Sequence, residues 1–335
     1  MKKKTNLKPI IIDGHEILPG ERKRFHIGQS NTFDFTDTGI PVEVIRGTKP
    51  GPTLFISAVI HGDELNGFEI IRKILKRQEL KDLKGTLIAV PIVNVFGFNT
   101  MSRYLPDRRD LNRAFPGSKT SSLASRIADL LMTEIVKKAD YGIDLHTGAI
   151  HRDNLPQIRA CLDDERTEKL AKSFGAPLIL NSKLRDGSLR EAARKKNIPM
   201  LLFEGGEALR FDEDAIRIGV RGCMNVMKDL KMIELKKAVK PKKKCYLAQS
   251  SHWVRAPQGG CVRLKKKLGQ SISEGDLLGV VSGPFDQEKI KFHSRTTGVV
   301  IGISKVPLVN KGDAVIHIAT PDKYTPKEGI DYLDG

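Results

Sequence analysis

Pro52-Thr-Leu-Phe-Ile-Ser-Ala-Val-Ile60 is an apolar run that delivers His61-Gly-Asp-Glu64 at its end, a histidine and a carboxylate three residues apart. A short run of this kind reads as a buried strand. Imidazole nitrogen and carboxylate oxygen are both good zinc ligands, and two of them at a strand terminus leave room for a third ligand and a water. Further along, Ala139-Asp-Tyr-Gly-Ile-Asp144-Leu-His146-Thr-Gly148 again runs a short apolar segment into a histidine. On a strand, Asp144 and His146 share a face. Asp144 is therefore the candidate to fix the tautomer of a ligating imidazole.

A third run, Ile198-Pro-Met-Leu-Leu-Phe203, ends in Glu204-Gly-Gly-Glu207 and predicts a carboxylate on a turn that two glycines keep open. Such a group suits a general base, which contributes typically about 10²–10⁴ in rate. Glu204 is preferred because it directly follows the run, with Glu207 as its rival. A fourth run, Thr86-Leu-Ile-Ala-Val-Pro-Ile-Val93, ends at Asn94. Four apolar segments separated by helical patterns predict an α/β fold whose site lies outside the carboxyl ends of the strands. The helical patterns cover Leu65 to Leu75, Ser121 to Met132, a capping box at Ser188-Leu-Arg-Glu191, and residues 212 to about 238. The last places Ile216, Val220, Met224, Met227 and Leu230 on its apolar side.

Between the first and second histidines lies a polar loop, Ser102-Arg103-Tyr104-Leu-Pro-Asp107-Arg108-Arg109-Asp110-Leu111-Asn112-Arg113-Ala-Phe-Pro-Gly117. A guanidinium grips a carboxylate through two parallel charge-assisted hydrogen bonds, and near a reacting carbonyl it can stabilise an oxyanion. The set His61-Gly-Asp-Glu64-Leu-Asn-Gly67, Arg103-Tyr104, Asp110-Leu-Asn112-Arg113, Asp144-Leu-His146-Thr-Gly148 and Glu204-Gly-Gly resembles the succinylglutamate desuccinylase/aspartoacylase branch of the zinc carboxypeptidase superfamily. The resemblance spans most of residues 40 to 320. It implies a zinc-carboxypeptidase-like mixed sheet flanked by helices. It also implies one zinc ion per chain on His61, Glu64 and His146, with a water at the open position. Glu204 would be the base, Arg103 would polarise the scissile carbonyl, and Asn112 with Arg113 would hold the substrate carboxylate. Asn94 matches a further pocket asparagine. The implied activity is removal of an N-acyl group from an amino acid or related small acid. The wider superfamily keeps a second reading open, a carboxypeptidase that trims peptides. A non-catalytic binding protein with a degenerate metal site is a third.

Three domains are expected: a β-rich N-terminal segment over 1–45 acting as a lid or brace, a catalytic domain over 46–240, and a C-terminal β domain over 241–335. The last follows Lys240-Pro-Lys-Lys-Lys244, where short strands separated by glycine begin. Two near-repeats, Gly269 to Leu278 and Val306 to Val315, resemble the barrel-sandwich hybrid of biotinyl and lipoyl carriers, without a carrier lysine at a hairpin tip. His252, His293 and His317 in this region read as structural, and His15, His26 and His151 as ordinary surface or half-buried histidines.

Composition narrows the partners. No apolar run approaches the roughly 20 residues of a membrane span, and no secretory core follows the first lysines. Four scattered cysteines form no Cys-x-x-Cys pair, so reduced thiols in a cytoplasmic protein are expected. The net charge of +17 is dispersed, and aromatic residues are only 6% of the chain, which argues against nucleic acid and for solvated faces, with steering of a small anionic substrate as a side benefit. A homo-oligomer is left open.

Overall fold

The computed structural model describes residues 7–31, 34–235, 245–286, 288–321 and 329–330. Its N-terminal strands are β1 (Ile10–Ile12), β2 (His15–Ile17), β3 (Arg22–Asn31), β4 (Asp37–Arg46), β5 (Lys49–Ala58), β6 (Lys84–Val90), β7 (Tyr141–His146), β8 (Arg152–Ala160), β9 (Leu178–Asn181) and β10 (Met200–Gly206). The C-terminal strands are β11 (Tyr246–Arg255), β12 (Gly260–Leu264), β13 (Ser271–Ile272), β14 (Leu277–Ser282), β15 (Lys289–His293), β16 (Gly298–Ser304), β17 (Leu308–Val309) and β18 (Ala314–Pro321). One long mixed sheet runs β3-β4-β6-β5-β7-β10-β8-β9-β11-β18-β16-β13. At its centre β6, β5, β7 and β10 are parallel, so their carboxyl ends share one edge.

The helices are α1 (Asn66–Leu75), α2 (Val95–Asn99), α3 (Leu123–Glu134), α4 (Glu165–Phe174), α5 (Leu189–Arg194) and α6 (Glu213–Asp229). Strand alternation divides the burial between two faces. Leu54, Ile56 and Ala58 of β5 point to the side covered by α1, α4 and α6, where Ile70, Ile74, Phe174, Ile216 and Met227 pack. Phe55, one residue out of step, joins Leu131 of α3 and Leu189 and Ala193 of α5 on the other. Because central strands are covered twice, they read in sequence as continuous apolar runs.

Three expectations change in the structure. The helix expected over 212–238 ends at Asp229, and its last three residues lie outside the described residues. Lys231 turns into a left-handed conformation (φ 57°), and the Met232 N–H bonds back to the Met227 carbonyl, a closure that satisfies an end-of-helix acceptor. The apolar residues that prolonged the helical pattern are instead folded under the core, with Met232 and Ile233 buried. Second, the N-terminal segment, expected as a lid or brace packing on the core, is continuous with it: β3 and β4 form the far edge of the central sheet and β4 pairs with β6. Third, Glu204 and its glycines do not stand on a turn: they are the last residues of β10, with a register irregularity against β8 between Glu204 and Gly206.

The capping box at Ser188 forms in modified shape. The Ser188 hydroxyl accepts from the Glu191 N–H, while the Glu191 carboxylate reaches past Ser188 to the Gly187 N–H.

From residue 245 the described chain contains strands and turns but no helix. β12, β14, β15 and β17 make a second four-stranded sheet, whereas β11, β13, β16 and β18 continue the central one. β11 adds in parallel to β9, and β16 also zips onto the start of β8, Gly302 opposite Asn154. The two near-repeats each hold a short strand, a glycine at positive φ (Gly275, Gly312) and a long strand.

The stacked pair Phe174 and Phe203, 5.3 Å between centroids, locks α4 and β10 together, and Gly222 of α6 lets the Phe174 ring approach its backbone. Phe174→Ala should lower unfolding stability by about 3–5 kcal/mol, read from the denaturant midpoint.

Candidate active site

β5 stops at Ala58, and Val59, in a left-handed conformation (φ 58°), turns the chain so that His61 and Glu64 face the end of β7. Gly62 makes the turn fit, since a Cβ there would lie 1.9 Å from a backbone carbon of Gly97 in α2. Asn66 then ties the turn to two other segments, donating to the Gly205 carbonyl and accepting from the Asp212 N–H.

Three of the residues singled out from sequence meet here. His61, Glu64 and His146 are 4%, 2% and 3% exposed, and one potential ligand atom of each lies within 4.8 Å of the others. The two Glu64 oxygens are divided between the imidazoles: Oε1 is 2.7 Å from His61 Nδ1 and Oε2 is 2.7 Å from His146 Nδ1. Each remaining imidazole nitrogen has its own carboxylate. His146 Nε2 lies 2.7 Å from Asp144, which also accepts from the Ser57 hydroxyl, and His61 Nε2 lies 3.0 Å from Asp110. With Nε2–H donated to a carboxylate, Nδ1 is the nitrogen free to ligate, the arrangement that orients metal-binding histidines. Two imidazoles and a carboxylate, buried, convergent and each braced from behind, therefore fit a divalent ion.

Electrostatics agree with the geometry. Burial alone would push the Glu64 carboxyl up, yet the facing imidazoles outweigh it and hold the group well below the usual carboxylate range. Burial would lower both histidines, but Glu64 and Asp110 raise His61, and Asp144 and Glu64 raise His146 further. Asp110 is held low by His61 and Arg103 against its own desolvation. Asp63, 1% exposed beside this centre, is pushed up by burial and by Glu64.

The arginine loop closes over the same carboxylates. Arg103 donates to Glu64 Oε1 at 3.2 Å and to Asp110 Oδ2 at 3.0 Å, so its guanidinium borders the centre. Asn112 is buried, its side-chain oxygen accepting from the Leu189 N–H, and it holds the loop against α5. Arg113 next to it is exposed. Asn94, expected in the pocket, is fully buried and its amide is engaged at both ends. It caps α2 by accepting from the Gly97 N–H and donates to the Arg103 carbonyl, which makes it a support of the loop.

Glu204 stands in register with His146 on the neighbouring parallel strand, so the two side chains share a face on strands whose backbones lie about 4.8 Å apart. Its Oε2 accepts from Asn154 Nδ2 at 2.9 Å and pairs with Arg159 at 3.1 Å. Glu207 is 4% exposed and engaged by the His151 N–H, Arg210 and Lys305. Sequence reasoning missed the bracing role of Asp110 and both partners of Glu204. Asp110 was visible two residues before Asn112, but nothing in one dimension links it to His61, 49 positions away.

The fold and site together define an α/β protein with a metal-competent His, Glu, His centre at the carboxyl ends of parallel strands. The profile of the succinylglutamate desuccinylase/aspartoacylase catalytic domain matches residues 50–230. The chain is 28% identical over 296 residues to N-alpha-acetyl-L-2,4-diaminobutyric acid deacetylase of Halomonas elongata, covering 84% of this chain and 85% of that one. A succinylglutamate desuccinylase/aspartoacylase of Rhodobacter sphaeroides superposes with a TM-score of 0.80 at 25% identity, over 90% of this chain and 96% of that one. The product-bound ectoine utilization protein EutE (DoeB) of Ruegeria pomeroyi shares the fold, with a TM-score of 0.81 at 24% identity over 95% and 99% of the two chains. The chain belongs to the succinylglutamate desuccinylase/aspartoacylase family. Membership makes it an enzyme, a hydrolase of amide bonds other than peptide bonds.

Protons compete with a metal ion for these imidazoles. Because both histidines are raised above 6.5, affinity for a divalent ion should climb as pH rises through their folded values, with protons released on binding. In the metal-free protein their stabilising contribution is complete below 6.5 and fades as pH rises through those raised values. That of Glu64 and Asp110 is complete above their usual carboxylate range and fades as pH falls through their depressed ones. Calorimetric titration of metal-free protein in buffers of different ionisation enthalpy measures the release, and pH-independent binding without it would contradict the ligand assignment.

Proposed function

We propose that the protein is a zinc-dependent amidohydrolase that removes an N-acyl group from an amino acid or related small acid. The observation that carries this reading is the shared Glu64 carboxylate, held between two Nδ1 atoms whose partner nitrogens are each fixed by an aspartate. Family membership and the deacetylase relative support the amide bond as the target. His61, Glu64 and His146 would hold the zinc, which supplies a Lewis acid for the scissile carbonyl and lowers the pKa of water to about 7.

This chain's own side chains do the rest. Glu204, beside His146 on the same sheet face, takes the proton of the attacking water and returns it to the leaving amine. Glu204 is favoured over Glu207 because it stands in register with His146, whereas Glu207 lies beyond the end of β10 among Lys305, Arg210 and the His151 N–H. Arg103, bordering the centre through Glu64 and Asp110, donates to the carbonyl oxygen as negative charge develops there. The exposed Arg113, on a loop that Asn112 fixes to α5, holds the substrate carboxylate. The segments 46–240 and 241–335 serve as catalytic and C-terminal domains, the latter of barrel-sandwich-hybrid type.

Glu204→Gln should keep about one zinc per chain by elemental analysis while kcat on N-acyl amino acids falls by about 10²–10⁴. Undiminished turnover in that variant would remove Glu204 as the base. Arg113→Ala should raise KM for carboxylate-bearing substrates about tenfold or more with a smaller change in kcat.

A further inference from the structure

β8 carries one residue more than the strand it pairs with. Gln157 stands opposite Glu204 and Asn154 opposite Gly206, so two steps along β10 are matched by three along β8. An extra residue of this kind is a β-bulge, and it reverses the face taken by every side chain beyond it. In an unbroken ladder Leu155 would share the face of Glu204, and Asn154 would lie on the opposite one. With the bulge, Leu155 is turned into the apolar cluster of Leu178, Val299 and Ile301, and Asn154 comes round to the catalytic face. Pro156 falls inside the irregular stretch, where a residue without an N–H is tolerated in a sheet.

The amide so placed serves the carboxylate next to the metal centre. Asn154 Nδ2 donates to Glu204 Oε2 at 2.9 Å, and Arg159 pairs with the same oxygen at 3.1 Å. Both donors act on Oε2, which leaves the lone pairs of Oε1 for the proton that the reaction moves. The two donors differ in stiffness. Arg159 ends a long side chain, whereas Asn154 is short and 7% exposed, and its backbone is held from both sides, by Gly206 of β10 and Gly302 of β16. The C-terminal strands set the room for that amide. A Cβ on Gly302 would lie 2.8 Å from Asn154 Oδ1 and 3.1 Å from the Cβ of His317. His317 cannot easily give way, because its ring is stacked on Trp253 at 4.6 Å and its Nε2 lies 2.9 Å from the Ser251 hydroxyl. The Asn154 amide is therefore the group that a side chain at position 302 would displace.

We propose that Asn154 is a positioning residue for the general base: it fixes Glu204 through Oε2 so that Oε1 is presented to the attacking water, and Gly302 of the C-terminal strands keeps its amide in place. This rests on the reading of Glu204 as the base and deepens it. The C-terminal strands thereby take part in the reaction at one remove, Gly302 placing Asn154 and Asn154 placing Glu204.

The test is a double-mutant cycle on the zinc-loaded full chain acting on N-acetyl amino acids. Asn154→Leu, of similar size, and Asn154→Asp, of the same shape but without the donor, should each lower kcat about tenfold or more, with KM changed less than about threefold and about one zinc per chain retained. Gly302→Ala, which leaves every functional group present, should lower kcat in the same sense. In a Glu204→Gln background, Asn154→Leu and Gly302→Ala should have almost no further effect on kcat. Equal losses in both backgrounds would reduce Asn154 to a strut of the seam and overturn the proposal, as would undiminished kcat in both Asn154 variants. If no N-acyl amino acid is hydrolysed, or if Glu204→Gln keeps full turnover, the reading of the base fails by itself. Crystal structures of wild type and Asn154→Leu then decide the positioning: a Glu204 carboxylate rotated or spread over several orientations in the variant supports it, and an unmoved carboxylate overturns it.

Discussion

A single carboxylate facing two imidazoles organises this molecule. Glu64 lies buried with one oxygen on His61 and the other on His146, and the Thr147 N–H adds a third bond. A charge removed from water so completely is tolerable only if paired and hydrogen-bonded. The surrounding structure meets that condition from four directions: β5 and its turn, the end of β7, Arg103 on its loop, and Asp110 behind His61. The parallel core strands matter for function because they bring these segments to one edge.

Strand register sets the row of polar side chains that leads away from the His61, Glu64 and His146 centre. His146, Glu204 and Gln157 follow from the register of β7, β10 and β8, so displacing β10 by one residue would turn Glu204 to the opposite face. Asn66 guards that register at its end, joining the start of α1 to the Gly205 carbonyl and the Asp212 N–H. Gly206, at φ 75° with a Cβ position 2.6 Å from Asn66 Nδ2, has space only for hydrogen. The glycines after Glu204 thus serve the close approach of α1 and α6, and not an open turn.

Much of this was legible in one dimension because parallel strands buried on both faces leave strong runs, and because each run stopped at a polar residue. Pro52–Ile60, Thr86–Val93, Tyr141–Leu145 and Met200–Phe203 all proved to be strands or strand ends, and His61, Glu64 and His146 converged. What was not legible depended on pairing across long separations. Asp110 behind His61, Arg159 against Glu204 and the seam of β16 with β8 join residues that no local pattern links. Periodicity also overran the end of α6, since Met232 and Ile233 are apolar for burial under the core and not for helical packing. Asn94 carried the right residue type for a pocket, and sequence alone did not show that its amide also bonds a helix N-terminus and a loop carbonyl.

The join of β11 to β9 and of β16 to β8 gives the C-terminal strands a further meaning. Stripped of them, β9 would present a row of bare amide and carbonyl groups, an invitation to intermolecular strand pairing. Lys305 would also leave Asp153 and Glu207 as neighbouring buried or half-buried acids without their shared cation. The hydrolase core is therefore not a detachable unit: trimming the polypeptide ahead of β11 would trade a closed seam for a sticky sheet edge.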